Sequence, residues 1–235
     1  LREGGVRVKV VLVSPEGRIN LGFIVRLAKN FGVDEICVVN PAFDVRHSEV
    51  IEFSANAADY IDRVRVVSSL SECLEGVTLS VCTTSKLNLE GDVLRQGVDV
   101  KELCYLLPPK GVLALVFGRE STGLTRSELL ACDILSSIHT GSEYSVMNLS
   151  HAVAIYLYEV RKCFESTTAS HIRYCREETL EALRSLIRYL GEVLREERGA
   201  IALKHILFKG RPSVEECSSI YKLLKRIKYG IRDRR

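Results

Sequence analysis

The sequence has no CxxC pair, no GxGxxG turn, no GxxxxGK[ST] loop, no GxSxG elbow and no HExxH helix. These gaps leave zinc ribbons, dinucleotide folds, P-loop kinases, α/β-hydrolases and zinc proteases without support. Five prolines and 16 glycines in 235 residues are too few for a collagenous or linker-rich chain, and a 46% hydrophobic content is too high for disorder. Charge-free stretches such as Ser145 to Tyr158 carry Asn, Ser and His and fall short of the ~18 apolar residues of a membrane span. The run Val10 to Val13 is too short for a signal-peptide core, so a cytoplasmic protein is expected.

Eight cysteines, at 37, 73, 82, 104, 132, 163, 175 and 217, stand singly, with no His at zinc-ligand spacing. No metal site is expected. Cys37 and Cys82 lie in apolar runs, where a thiol behaves as a small hydrophobe, so buried free thiols are the expectation. One or two bridges are the alternative, since disulfides persist inside some hyperthermophile cells.

Charge is unevenly spread. The chain totals +3, but residues 1–165 carry −4 and residues 166–235 carry +7. From Lys222 onward there are seven basic residues and only Asp233 as an acid. That pattern suits a tail drawn to phosphates or, more plainly, a solvated helix face.

Six short Val/Ile/Leu-rich runs read as strands: Val6 to Val13, Glu35 to Val39, Arg63 to Val67, Leu79 to Thr83, Gly111 to Gly118 and Ile134 to Thr140. Their near-continuous apolar character predicts an α/β domain with a mostly parallel sheet covered on both faces. A helix from Asn20 to Phe31 has Asn20 as its cap and Gly32 as its stop. Leu21, Ile24, Leu27, Ala28 and Phe31 face the sheet, leaving Gly22, Arg26 and Lys29 on the open side. A second helix, Met147 to Phe164, closes a domain of residues 1–165. Residues 166–175, with Ser166-Thr167-Thr168-Ala169-Ser170, form a linker. Residues 176–235 form a basic helical appendage, with helices over 177–198, 199–209 and 213–230.

Three loops follow predicted strands, where α/β proteins build their sites. They are Asn20-Leu21-Gly22 with Arg26, Phe117-Gly118-Arg119-Glu120-Ser121-Thr122-Gly123-Leu124, and Glu143-Tyr144-Ser145-Val146-Met147-Asn148-Leu149. Singly, each has a plain reading as a turn, a solvated acid or a helix cap. In this order, LVSPEGRINLGFIVRLAKNFGVDEICVVNP, LALVFGRESTGL and GSEYSVMNLSHAVAIYLYEV resemble the three motifs of the SPOUT class of RNA methyltransferases. Within it they are most similar to the TrmJ-like tRNA 2′-O-ribose methyltransferases, which modify anticodon-loop position 32. Lys204-His205-Ile206-Leu207 and Gly210-Arg211-Pro212 resemble that family's helical C-terminal domain.

The resemblance implies a trefoil-knotted α/β fold, S-adenosylmethionine (AdoMet) held in the knot, a homodimer and a tRNA substrate. It places Thr83, Thr84, Ser85, Gly118, Glu120, Ile138, Thr140, Met147 and Leu149 at the cofactor. Arg26, Ser145 and Asn148, with Asn20 and Glu120 close by, fall around the acceptor ribose. Lys86, Arg119, Lys204, Lys209, Arg211, Lys225, Arg226 and Lys228 are the expected RNA contacts. A 2′-OH must lose its proton as it attacks the methyl group, so developing negative charge needs a fixed cation. A guanidinium, with a pKa above ~12, suits that electrostatic role better than a general base's. Ser145 would orient the hydroxyl. The chain departs from the family in Pro15-Glu16-Gly17-Arg18-Ile19, in Lys86 where Arg is common, and in Val146 where Ser is frequent. The alternatives are a ribosomal RNA 2′-O-methyltransferase and an inactive RNA-binding homologue.

Overall fold

In a computed structural model, residues 5–87, 90–142, 144–166 and 174–232 are described. Seven strands pair in parallel in the order β3-β2-β1-β6-β4-β7-β5. They are β1 (Val6–Val13), β2 (Glu35–Val39), β3 (Val64–Val67), β4 (Leu79–Thr83), β5 (Val98–Asp99), β6 (Gly111–Phe117) and β7 (Ile134–Ser137). The two central strands are buried nearly end to end because helices cover both faces. Alternate residues of β1 divide between the two sides. Val10 and Leu12 join Leu115 and Phe117 in one apolar cluster, while Val11 and Val13 join Ala114 and Val116 in the other. β7 enters between β4 and β5, both of which precede it in the chain.

The helices of this unit are α1 (Arg18–Phe31), α2 (Ser48–Ser54), α3 (Leu70–Leu74), α4 (Arg126–Ala131) and α5 (Leu149–Ser166). α1 departs from its expected start. It opens after Gly17, and Asn20 lies in its first turn because its side chain is drawn to Glu120 instead of capping. Gly22, expected on the open side, is buried against α2, where an added Cβ would meet Phe53 Cβ at 2.6 Å. Gly32 ends the helix in the left-handed region, at φ 66°. β7 stops at Ser137, three residues before the expected end, which releases Ile138, His139 and Thr140 into a loop.

Three helices follow: α6 (Glu177–Leu194), α7 (Glu197–Lys209) and α8 (Val214–Arg232). The proposed linker falls partly on residues 167–173, outside the described residues. Leu180, Leu183, Ile187 and Leu190 are buried as a stripe, whereas Leu194 is exposed at the end of α6. These helices dock at the N-terminal edge of β4 and β7. Arg184 on α6 grips the buried carboxylate of Asp133 with Nε and Nη2, both at 2.6 Å, and also donates to the carbonyls of Val77 and Thr78. Lys204 on α7 donates to the carbonyls of Leu130 and Cys132. A bidentate, carbonyl-saturated guanidinium is the geometry in which a buried ion pair is tolerated.

The cysteines overturn the free-thiol expectation. All eight pair, as Cys37–Cys73, Cys82–Cys132, Cys104–Cys163 and Cys175–Cys217. Their Cα separations of 5.0 to 6.0 Å suit disulfides. Partners lie 36 to 59 residues apart, on neighbouring elements that only the folded chain brings together.

Candidate active site

Three loops meet over the C-terminal ends of β1, β4, β6 and β7, the edge where parallel sheets present ligand-binding loops. Glu120, after β6, is the hub. Its carboxylate accepts from the Glu16 amide at 2.9 Å, the Gly17 amide at 3.1 Å and Asn20 Nδ2 at 2.9 Å. Asn20 Oδ1 in turn accepts from Asn148 Nδ2 at 3.1 Å. Asn148 Oδ1 then accepts from the amide and hydroxyl of Ser150, capping α5. One polar chain thus joins residues from all three motifs, separated by 100 and 128 positions.

Ser145 Oγ donates to the Ser85 carbonyl at 3.4 Å, laying the loop before α5 across the loop after β4. Arg26 is exposed on α1 and has no hydrogen-bond or ion-pair partner among the described residues. Within one chain the structure therefore joins Asn20, Glu120 and Asn148 but leaves Arg26 outside their network.

The expected cofactor residues form the rest of this edge. Thr83 Oγ1 donates to the Val116 carbonyl at 3.1 Å, tying β4 to β6, and the Thr84 amide donates to the Ser136 carbonyl of β7. Thr84 Oγ1 is held by Arg95 at 3.2 Å. A Cβ at Gly118 would stand 2.3 to 2.6 Å from Gly123 and Leu124 backbone atoms, so only glycine allows this turn to fold back tightly. Ile138 packs against the buried cluster containing Leu149; Met147 is half-buried, and Thr140 and Ser85 are exposed. Branched and thioether side chains beside strand-end backbone fit an adenosyl group, whose flat base needs apolar cover and whose edge needs amides and carbonyls. A cavity of about 1190 Å³ lies elsewhere, between α6, α7 and the N-terminal ends of β4 and β7.

Four of the expected RNA contacts are engaged within the protein. Arg119 holds Glu128 with both terminal nitrogens, at 3.0 and 3.1 Å, and also reaches Ser14 Oγ and the Gly123 carbonyl. That hydrogen bond raises the Arg119 pKa. Burial alone would raise the Glu128 pKa, but Arg119 and Thr125 outweigh it and hold the acid below its ordinary range. Lys204 is sequestered by its two carbonyls, and burial lowers its pKa. Lys209 donates to the Gln96 carbonyl. Arg211 donates to the Tyr105 carbonyl and lies over the Tyr174 ring at 4.3 Å. Lys86, Lys225 and Arg226 are exposed; Lys228 lies over Tyr189 at 4.5 Å. The sequence reading missed the Arg119–Glu128 pair, although Thr125-x-x-Glu128 is a legible capping box and both halves of it form.

The SpoU rRNA Methylase family profile matches residues 7–158. Over 225 residues the chain is 35% identical to the tRNA (cytidine-2'-O-)-methyltransferase TrmJ of Sulfolobus acidocaldarius, covering 94% of this chain and 93% of that protein. TrmJ from Z. mobilis superposes with a TM-score of 0.67 at 19% identity, covering 94% of this chain and 98% of that one. The SpoU methyltransferase AviRb from Streptomyces viridochromogenes, in complex with the cofactor AdoMet, gives 0.58 at 22% identity, covering 71% and 63%. At those identities the two structures speak for the fold.

Proposed function

This chain belongs to the SpoU rRNA Methylase family, and from that premise we infer that it transfers the methyl group of AdoMet to the ribose 2′-OH of a tRNA anticodon-loop nucleotide, at position 32. The observation that carries the reading is the extent of the likeness to a tRNA 2′-O-methyltransferase. It runs over 94% of the chain, and so through the helical appendage, whereas the family profile ends at residue 158.

Bound AdoMet supplies an electrophilic methyl group. The chain supplies the rest. The Glu120–Asn20–Asn148 relay fixes the three loops around the acceptor sugar, Ser145 orients its hydroxyl, and Arg26 stabilises the oxyanion that develops as the hydroxyl proton passes to solvent water. Residues 1–165 carry the chemistry. In the appendage, residues 176–235, the exposed cations Lys222, Lys225 and Arg226 of α8 meet phosphates, and Lys86 does so beside the site.

The working unit in this proposal is a cytoplasmic homodimer. Ile19 and Phe23 are 42% and 38% exposed on α1, and Tyr158 is 55% exposed on the adjacent α5. Spacings of four and three place Ile19, Phe23 and Arg26 along one helix face, so a second copy covering it would meet Arg26. No helix among the described residues is long and apolar enough to cross a membrane.

The test is incubation with labelled AdoMet and total tRNA, then mass spectrometry of nuclease fragments to locate the modified ribose. A 2′-O-methyl group in the anticodon loop is the expected result. Label only in ribosomal RNA would favour the ribosomal alternative, and label in neither an inactive RNA-binding homologue.

A further inference from the structure

The loop before α1 and the loop after β6 exchange carboxylates. Glu120 receives the amides of Glu16 and Gly17, and Glu16 reciprocates: its Oε1 accepts from the Ser121 hydroxyl at 2.6 Å and its Oε2 from the Ser121 amide at 3.0 Å. The fit is close. A Cβ on Gly17 would stand 3.1 Å from Asn20 Nδ2 and 3.2 Å from Glu120 Oε1. The core does not require Glu16, which is exposed just beyond β1. An exposed carboxylate held by two donors of one residue, 105 positions away, restrains that residue and its neighbour far more than it stabilises the fold. The neighbour is Glu120, the hub of the polar chain that reaches Asn148.

We propose that Glu16 is a positioning residue for methyl transfer: by clasping Ser121 it fixes Glu120 beneath Asn20, and through Asn20 it sets Asn148 and the loop bearing Ser145. This rests on the methyltransferase reading of the same site. The carboxylate acts through its two contacts and not as a charge, so a glutamine of the same length, whose oxygen can accept from the Ser121 amide while its amino group donates to the Ser121 hydroxyl oxygen, should largely replace it.

The test compares wild type, Glu16→Ala, Glu16→Gln and Ser121→Ala as full-length proteins. Four readouts are needed: kcat, KM for tRNA, AdoMet Kd by calorimetry, and Tm. Glu16→Ala should lower kcat by about 10- to 100-fold, with AdoMet Kd within about twofold and Tm unchanged. Glu16→Gln should recover kcat to within about threefold of wild type, and Ser121→Ala added to Glu16→Ala should lower kcat no further. A kcat within threefold of wild type for Glu16→Ala would overturn the proposal. So would equal losses in the Ala and Gln variants, which would indicate a charge effect, or a loss matched by a fall in Tm. Wild type inactive on every RNA would defeat the functional reading instead. The clasp itself would still be measurable, as slowed hydrogen exchange of the Ser121 amide that Glu16→Ala abolishes.

Discussion

Arg26 has no partner among the described residues and stands on an open helix face beside two exposed apolar side chains. A cation without a structural partner adds little to stability, so removing it tests chemistry alone. Arg26→Ala should bind AdoMet as wild type does and lose turnover by at least a hundredfold, about 2.7 kcal/mol of barrier. Calorimetry and single-turnover methyl transfer measure the two halves; turnover within threefold of wild type would remove Arg26 from the mechanism. Lys204 shows the converse. Its position in a basic stretch suggests RNA, but its ammonium lies on two carbonyls of the α/β unit. The sequence holds no sign of which cations find such acceptors, because the acceptors are backbone atoms more than 70 residues away.

At the scale of elements, β1 and β6 are legible because burial on both faces leaves an unbroken apolar run, whereas β5, two residues long, leaves no pattern to read. α1 starts at Arg18 and not after Asn20 because the local preference of Asn20 for a cap loses to a carboxylate 100 positions away. α7 carries a pH dependence that is testable without substrate. His205 is 4% exposed and neither ring nitrogen has a hydrogen-bond partner among the described residues. Burial first, then Lys204 and Lys209, lowers its pKa from 6.5 to about 4. The unfolded chain therefore takes up this proton more readily than the folded one. Stability is full above about pH 6.5 and falls as pH drops toward 4, by on the order of 2 kcal/mol. Urea unfolding of wild type and His205→Leu at pH 7.5 and 4.5 should show a smaller acid loss in the variant; parallel losses would assign it to other groups. The Cys104–Cys163 bridge ties the 3-10 segment 100–105 to the far end of α5 across 59 residues. Replacing both by Ser should cost about 2–4 kcal/mol in denaturant titrations of oxidised protein and nothing measurable under dithiothreitol.

For the whole molecule, the division of charge governs how RNA is held. The α/β unit is net acidic, and Lys204, Lys209 and Arg211 are engaged within the protein, so of the expected RNA contacts in the appendage Lys225 and Arg226 of α8, beside the exposed Lys222, stay open to solvent. Replacing Lys222, Lys225 and Arg226 together by Gln should weaken tRNA binding across sequences and flatten the plot of log K against log salt by about two to three. Filter binding between 50 and 300 mM salt, about the range where such slopes are read, measures it; an unaltered slope would make α8 a solvated face. The bridges carry a consequence for how the molecule comes into being. Forging a disulfide hands two electrons to an acceptor, so a chain with four of them is complete only after an oxidant has drained it four times. Copies made in a glutathione-rich host should therefore retain thiols until an oxidant is supplied. Iodoacetamide, which marks only surviving thiols, would sort the two populations by mass.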